Sequence, residues 1–321
     1  MEMERNSSGQ PQSTLRPTTF PAKQQVRQQP PPSSPFARTR ALPWVLLSIT
    51  AGGIGLYISL LIVSARRPCT NPAISNIAQQ QDVSKRYDET ADNFDSEVGV
   101  SEVLMGINRM RKKLAQQCVG HVLEVSCGTG RNLGYYDVGA ESAIESLTFV
   151  DLSPPMIEVC KKKWNVLYGS TMSTPSTLRE QPFKPGLAVR FLTSSALEPM
   201  PPAPNGRAYD TIIQTMGLCS TPAPEALLSN MIRHLNLANP EARILLLEHG
   251  RSYRTWLNNI LDGAAQRHAE IHGCWFNRDI GALVQDAAKR AGLQVVSEKR
   301  HHVGTTWVRE SASISQTVST S

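Results

Sequence analysis

Two apolar runs end in residues whose types and spacing suit the binding of a small polar ligand. Glu124 lies in the run "VLEV", the small residues "SCGTG" follow it, and Asp151 ends the next apolar run. Glycines at 128 and 130 permit a tight turn that approaches a ligand closely, where a Cβ would collide. An acid 21 residues after Gly130 can accept hydrogen bonds from both hydroxyls of a ribose. The pattern therefore predicts a nucleoside-binding loop.

The glycine spacing argues against two common nucleotide-binding loops. A dinucleotide fingerprint has a further glycine three residues after the second one, but position 133 is Leu. A nucleoside-triphosphate loop continues into Gly-Lys-Ser or Gly-Lys-Thr, and the sequence here continues differently. The residues thus favour a ribose-containing ligand other than a nicotinamide dinucleotide or a nucleoside triphosphate.

Alternating strand and helix patterns place this loop at the end of a strand. The clearest helical pattern covers 279–291, where apolar residues recur at helical spacing and Gly292 is placed to end the helix. The alternation predicts an α/β fold with a doubly wound, mostly parallel seven-stranded sheet, whose ligands bind at the carboxyl ends of the strands. The last two strands must be antiparallel because their connection is too short for a crossover. The predicted strands are 122–125, 147–150, 189–192, 209–214, 243–248, 293–297 and 305–309.

With these residues the chain resembles the class I S-adenosylmethionine-dependent methyltransferases, from about residue 87 to residue 308. "RYDETADNFDSE" (86–97) is similar to the N-terminal helix of that class, "YDTIIQTMGLCS" (209–220) to its fourth strand, and "RILLLEHGR" (243–251) to its fifth. The resemblance implies a Rossmann-like fold and S-adenosyl-L-methionine as cofactor, and it suggests no metal. The residues that it assigns to the cofactor are Tyr87, Glu124, Ser126, Cys127, Gly128, Thr129, Gly130, Asp151, Leu152, Ser195, Ala196 and Gln214.

The chain departs from the usual pattern of this class at two positions. Ser126 stands where a glycine is usual, which tightens the space beside the methionine part of the cofactor. Ser195 stands where many relatives have an aspartate for the adenine amino group, and a hydroxyl is a weaker partner. Both departures favour a second hypothesis, that of an inactive member of the fold.

Several side chains could serve the methyl acceptor. His249, after the fifth strand, is a candidate catalytic base that would titrate near neutral pH, or a histidine that only satisfies loop carbonyls. Cys127 is a candidate nucleophile, although a small residue filling a tight turn is the simpler interpretation. Met216 and Cys219 are expected to line the pocket.

The stretch "GCWFNRDI" (273–280) allows two interpretations. Trp275, Asn277 and Arg278 could form a lid or an acceptor pocket. Alternatively, Trp275 belongs to the core and Arg278 is a solvated residue at a helix start.

The net charge of +6 belongs to the N-terminal segment. Residues 1–70 contain eight basic and two acidic side chains, whereas residues 71–321 contain 25 of each. A neutral body offers no electrostatic track for phosphate backbones, so we expect no nucleic-acid binding. The six cysteines form no CxxC pair, which predicts free thiols and neither a disulfide framework nor a structural metal site.

Composition divides the chain into five segments. Residues 1–40 form a basic leader that is expected to be disordered and could be a mitochondrial presequence. Residues 41–63 carry no charge and predict a single transmembrane helix, because such a helix exceeds the thickness of a hydrocarbon core of about 30 Å. A polar linker (64–82), the methyltransferase domain (83–310) and a disordered tail (311–321) are expected to follow.

The apolar run carries two further hints. Ala51, Gly55 and Ser59 share one helical face, where small side chains permit a helix–helix partner, although small residues are common in membrane helices. Basic residues are denser before the run than after it, which favours the N-terminus on the cytoplasm-like side.

"GHVLEVSCGTGRN" and "GCWFNRDI", together with the basic leader and the anchor, resemble the fungal Oms-type mitochondrial inner-membrane methyltransferases. The resemblance implies a single-pass protein of that membrane and a small lipophilic or quinone-like acceptor. An alternative is a membrane-anchored assembly factor that keeps the fold without its chemistry. Methylation of a protein or an RNA is a third possibility.

Overall fold

The computed structural model describes residues 42–169 and 183–313. The predicted leader (1–40), the first residue of the predicted span and the tail from residue 314 lie outside the described residues. Contacts along the chain define two units, Met1–Leu56 and Tyr57–Ser321.

A seven-stranded sheet occupies the centre of the second unit, in the order β3-β2-β1-β4-β5-β7-β6. Strands β1 to β5 are parallel to one another, whereas β7 is antiparallel to both β5 and β6. This topology confirms the predicted fold class, including the antiparallel final pair. The strands are β1 (Gly120–Val125), β2 (Ile144–Asp151), β3 (Ala188–Thr193), β4 (Thr211–Thr215), β5 (Arg243–His249), β6 (Leu293–His301) and β7 (Thr306–Ser313).

The strand order reverses between β1 and β4, which creates a crevice at their carboxyl ends. In the register, Val125 of β1 lies opposite Val150 on one side and Gln214 on the other. The residues that follow these three strands are therefore brought to one edge of the sheet. Alternation along β1 fills the core on both faces, because Leu123 and Val125 join one apolar cluster and Val122 joins the other.

Helices cover the sheet and precede it. The α-helices are α1 (Leu42–Arg66), α2 (Pro72–Ser75), α3 (Arg86–Thr90), α4 (Phe94–Leu104), α5 (Ile107–Ala115), α6 (Pro154–Trp164), α7 (Pro224–His234), α8 (Thr255–His272) and α9 (Ile280–Ala291). Helix α9 matches the predicted helix, since the Asp279 side chain accepts from the Ala282 amide at 3.0 Å and Gly292 ends the helix at a φ of 67°. The predicted single helix at 86–97 was wrong, because it is divided into α3 and α4 by a turn at 91–93, where Asp92 and Asn93 favour turns over helix.

Helix α1 is long and apolar enough to cross a membrane, and none of its residues is buried. It continues three residues beyond the end predicted at Val63. The linker expected at 64–82 is not a free tether, because the segment after α1 is bound to the domain. Asn277 donates to the carbonyl of Ile74 at 3.1 Å, and the Trp275 indole donates to the carbonyl of Gln81 at 3.0 Å.

Candidate functional site

A cavity of about 990 Å³ opens at the carboxyl edge of the sheet, where β1, β2 and β4 end. A volume of this size is at the upper end of the range for small-molecule sites. It brings together ten of the thirteen residues that the sequence singled out for cofactor binding and catalysis. These are Tyr87, Ser126, Cys127, Gly128, Thr129, Asp151, Leu152, Ser195, Ala196 and His249. Met216 and Cys219 also line it, as predicted.

The loop after β1 turns through two glycines that have different tasks. Gly128 has a φ of 55°, and a Cβ at this position would meet no protein atom within 4 Å, so its open side is available to a ligand. Gly130 has a φ of 77°, and a Cβ there would lie 2.5 Å from Leu133 and 2.7 Å from the sulfur of Cys160. Gly130 is therefore required by packing inside the protein and not by the approach of a ligand.

Asp151 holds the glycine loop in place and borders the cavity. Its Oδ2 accepts from the Gly128 amide at 2.8 Å and its Oδ1 from the Ser153 amide at 2.9 Å. Burial raises the pKa of this carboxyl, and the two amides partly offset the rise. Because each carboxylate oxygen has two lone-pair sites, both oxygens can accept a further hydrogen bond from a ligand hydroxyl.

The expectation that Glu124 contacts the cofactor does not fit the structure. Its side chain is 1% exposed and lies outside the cavity lining. Its oxygens accept from Asn132 Nδ2 at 2.9 Å and from the Tyr136 hydroxyl at 2.6 Å, and burial raises its pKa to about 7. Glu124 thus holds the segment that follows the glycine loop and acts as a positioning residue for that loop.

Gln214 is buried at the end of β4, also outside the cavity lining. Its Nε2 lies 3.4 Å from the Ser126 hydroxyl, while its Oε1 has no hydrogen-bond partner among the described residues. A buried acceptor without a donor is costly. Gln214 thus contacts the glycine loop from within the sheet, and the expectation that it contacts the cofactor does not fit the structure.

Helix α4 covers the glycine loop through a network of ion pairs that the sequence analysis missed. The Thr129 hydroxyl donates to Asp95 at 2.6 Å, and Asp95 also pairs with Arg131 at 3.2 Å and with Lys163. Glu102 binds Arg131 at 2.6 Å and the buried Arg111 at 2.8 Å. Burial raises the pKa of Glu102, but the two guanidiniums outweigh this effect and hold the pKa below its ordinary value. The network closes one wall of the cavity.

His249, the last residue of β5, also lines the cavity. Burial lowers its pKa to about 4, so the expectation that it titrates near neutral pH was wrong. Its Nδ1 lies 3.9 Å from the sulfur of Cys274. The imidazole is neutral at physiological pH, which leaves it able to accept a proton or a hydrogen bond.

Tyr87 closes the cavity from the N-terminal side, as predicted. Its hydroxyl lies 2.7 Å from the Ser220 hydroxyl and donates to the carbonyl of Gly273 at 3.0 Å. Gly273 ends α8 at a φ of 69°, and a Cβ there would lie 2.9 Å from the tyrosine ring. The glycine is thus required both by the helix end and by the aromatic ring.

The lid interpretation of 275–278 was wrong. Trp275, Asn277 and Arg278 are each 2% exposed, and none of them lines the cavity. Arg278 is not a solvated residue either, because it donates to the carbonyls of Leu218 and Thr221 at 2.6 and 2.7 Å. Arg278 thus holds the loop after β4, whereas Asn277 and Trp275 hold the segment after α1.

The cysteines contribute free thiols, as predicted, since all six are unpaired. Burial raises the pKa of Cys127 well above its ordinary value, which favours its interpretation as a small residue filling the turn. Among residues 42–169 and 183–313, no group of three or more His, Cys, Asp or Glu side chains could hold a metal ion.

Residues 101–298 match the sequence profile of the family described as "Methyltransferase domain". The chain belongs to this family. Over 237 residues it is 36% identical to "Methyltransferase OMS1, mitochondrial" of Saccharomyces cerevisiae, a match that covers 74% of this chain and 47% of the yeast protein. The chain thus spans about half the length of the curated relative it matches.

Solved structures with similar folds share low identity with the chain. One chain of the complex between the Trm112 methyltransferase activator and a methyltransferase of Haloferax volcanii is 14% identical, with a TM-score of 0.48; the match covers 71% of this chain and 98% of that one. Magnesium protoporphyrin IX methyltransferase of Synechocystis PCC 6803, solved with bound SAM, is 12% identical, with a TM-score of 0.37; the match covers 74% of this chain and 85% of that one.

Proposed function

We propose that the protein is a membrane-anchored S-adenosylmethionine-dependent methyltransferase of a small lipophilic acceptor. The observation that carries this proposal is the convergence of Asp151, the Gly128 amide and Ser195 on one cavity at the switch point of a methyltransferase-family sheet. The fungal Oms-type resemblance agrees with the yeast relative, whose name includes both the activity and the mitochondrion.

The residues of the cavity fit the parts of the cofactor. Asp151 would accept from the two ribose hydroxyls, and Leu152, Ser195 and Ala196 would border the adenine. The 126–129 loop and Tyr87 would enclose the methionine part.

When bound, S-adenosylmethionine supplies an electrophilic methyl group on a sulfonium sulfur. The protein's main task is then positioning, because holding a nucleophile about 3–3.5 Å from its target in line accounts for much of the acceleration of such a step. Helix α4 excludes water from the glycine loop through Asp95 and Glu102. Neutral His249 faces the same cavity and would accept the proton of a hydroxyl or acidic C–H acceptor.

The acceptor would occupy the part of the cavity beyond the cofactor residues. Its walls there include apolar and aromatic side chains from four elements and loops, which suit a lipophilic molecule such as a quinone precursor. These are Met105, Ile107, Leu261 and Phe276.

We further propose a single-pass location in the mitochondrial inner membrane, with α1 as the span and the Ala51, Gly55, Ser59 face as a helix-contact surface. Support comes from the apolar composition of α1, the basic leader and the mitochondrial relative. Tethering would raise the local concentration of a membrane-dissolved acceptor around the domain.

Calorimetric titration of the full chain in detergent with S-adenosylmethionine tests the function. We expect binding that Asp151→Ala weakens by about 1–3 kcal/mol, because hydrogen bonds to a charged acceptor are lost. The control is Glu158→Gln, which removes an exposed carboxylate of α6 that pairs only with Lys161 at 2.9 Å among the described residues. Absence of binding to a wild-type chain that unfolds cooperatively would overturn the enzyme proposal and favour the assembly-factor alternative.

A further inference from the structure

Helix α8 joins the end of α1 to the cavity. Asn259 donates to the carbonyl of Ala65 at 2.8 Å, and the Cβ position of Gly263 lies 3.2 Å from the Ser64 hydroxyl. A side chain on Gly263 would press against α1 at this point. The contact holds the first three turns of α8 against the last turn of α1.

The contact lies where the apolar run of α1 ends. Val63 is the last residue of the predicted span, and Arg66 and Arg67 follow after Ser64 and Ala65. In a chain whose α1 spans a bilayer, this level is the lipid headgroup region. The start of α8 is therefore held at the depth of the headgroups.

The residues at the start of α8 have the composition of a membrane interface. Trp256 is 51% exposed and Tyr253 is 57% exposed. Trp256 and Asn259 are three residues apart and so lie on the same helix face. Exposed tryptophan and tyrosine are enriched at the headgroup level because one end of each ring system is apolar and the other polar.

Three exposed arginines accompany these aromatic residues. Arg66, Arg67 and Arg254 have no carboxylate partner in the part of the chain that the structure describes, and the Arg254 guanidinium lies 5.4 Å from the Tyr253 ring centroid. An anionic lipid surface complements the charge of such a group.

We propose that Tyr253, Arg254 and Trp256, together with Arg66 and Arg67, form a lipid-docking surface that seats the domain on the anionic membrane its own helix spans. The inference rests on the proposed membrane anchoring. Leu261 of the same helix lines the cavity, so docking would place one cavity-lining element at the membrane surface.

Tryptophan fluorescence of the full chain tests the docking surface. The protein is reconstituted into phosphatidylcholine vesicles that contain cardiolipin and a phosphatidylcholine carrying a nitroxide quencher on its headgroup. Trp44→Phe removes the tryptophan of α1. Of the four that remain, Trp164, Trp275 and Trp307 are at most 5% exposed, so Trp256 is the accessible one.

We expect the headgroup quencher to remove about a quarter of the emission of Trp44→Phe, and almost none of that of Trp44→Phe/Trp256→Phe. A matched control adds Leu237→Trp to the double variant. Leu237 is 52% exposed and precedes β5 at the opposite edge of the sheet, so its tryptophan should stay unquenched. Equal quenching of the first two variants, or quenching of the control, would overturn the docking surface.

Flotation and alkaline extraction of the same vesicles separate this failure from failure of the membrane anchor. A chain that leaves the vesicles in alkali has no membrane span, and both proposals about the membrane fall. A chain that resists extraction and shows no Trp256 quenching keeps its anchor, and only the docking surface is overturned.

Discussion

Ser126 is the residue at which the chain departs most directly from its class, and the structure shows the cost. Its φ is 54°, in the left-handed region where an L side chain is strained by about 1–2 kcal/mol. Met216, at the end of β4, has a φ of 62°. Two strained residues therefore border the same cavity, which is where strain is most often found in proteins.

Replacing Ser126 by glycine is expected to stabilise the protein by about 1 kcal/mol, because glycine adopts this backbone without a Cβ penalty. For a domain of this size the melting temperature should rise by about 2–4 °C. Calorimetry in detergent measures the change. Ser126→Ala is the matched control, since it keeps the strain and removes only the hydroxyl near Gln214. A glycine variant no more stable than the alanine variant would contradict the strain argument.

His249 predicts a pH dependence of stability. Burial lowers its pKa from 6.5 to about 4, so between these values the unfolded chain binds a proton that the folded chain does not. Stability should therefore fall as pH drops from 6.5 to 4, by up to about 2–3 kcal/mol from this residue. Urea unfolding of wild type and His249→Asn at several pH values measures the slope, which the variant should reduce.

The stability of the His249→Asn variant should still depend on pH, because of a second buried histidine. Burial also lowers the pKa of His268 to about 4, so a residual loss of stability toward acid pH is expected. His301→Asn serves as control, because this side chain is exposed and its removal should leave the wild-type slope unchanged. A slope that responds equally to both substitutions would exclude His249 as its cause.

At the scale of elements, α4 is held over the glycine loop by charge more than by apolar contact. None of its residues is buried, yet Glu102 and Asp95 pair with three basic side chains outside the helix, Arg111, Arg131 and Lys163. Such an element can open locally while the sheet stays folded, because its attachment is confined to a few groups. We therefore expect α4 to open more readily than the strands beneath it.

Glu102→Gln should loosen α4 and destabilise the protein by about 2–3 kcal/mol, since it leaves the buried Arg111 without a carboxylate partner and Arg131 with Asp95 alone. Hydrogen exchange should show faster exchange of the α4 amides, with β1 and β4 unchanged. The control Glu89→Gln breaks an exposed pair with Arg86, which should cost less than about 1 kcal/mol. Equal exchange in α4 for the two variants would show that the network does not hold the helix.

The secondary-structure elements could be predicted from the sequence, because apolar periodicity and a terminating glycine determine a helix or strand through residues that are close in the chain. Helix α9 and the seven strands overlap the predicted ranges, but β6 and β7 each end four residues later than predicted, and β7 includes 311–313 of the expected disordered tail. The role of Glu124 did not follow, since the sequence does not tell whether an acid in a buried strand faces a ligand or Asn132 and Tyr136. The ion pairs of Glu102 did not follow either, because they join positions that share no spacing rule.

At the scale of the whole molecule, the net positive charge and the candidate active site lie in different parts of the chain. The excess of positive charge lies in residues 1–70, and the cavity lies in a body with equal numbers of acidic and basic side chains. The sequence alone established this division, since charge counting requires no structure. The attachment of the segment after α1 to the domain required the structure, because it depends on Asn277 and Trp275, about 200 residues away.

The short distance between α1 and the domain determines how such a protein would meet other molecules. Only eight residues separate Val63 from α2, and even fully extended they would reach about 27 Å. With α1 in a bilayer, an enzyme tethered this closely would encounter its acceptor by lateral diffusion in the membrane and not by diffusion through the solution. Its turnover rate would depend on the mole fraction of the acceptor in the membrane. Adding lipid without acceptor would lower that rate, whereas increasing the aqueous volume would not.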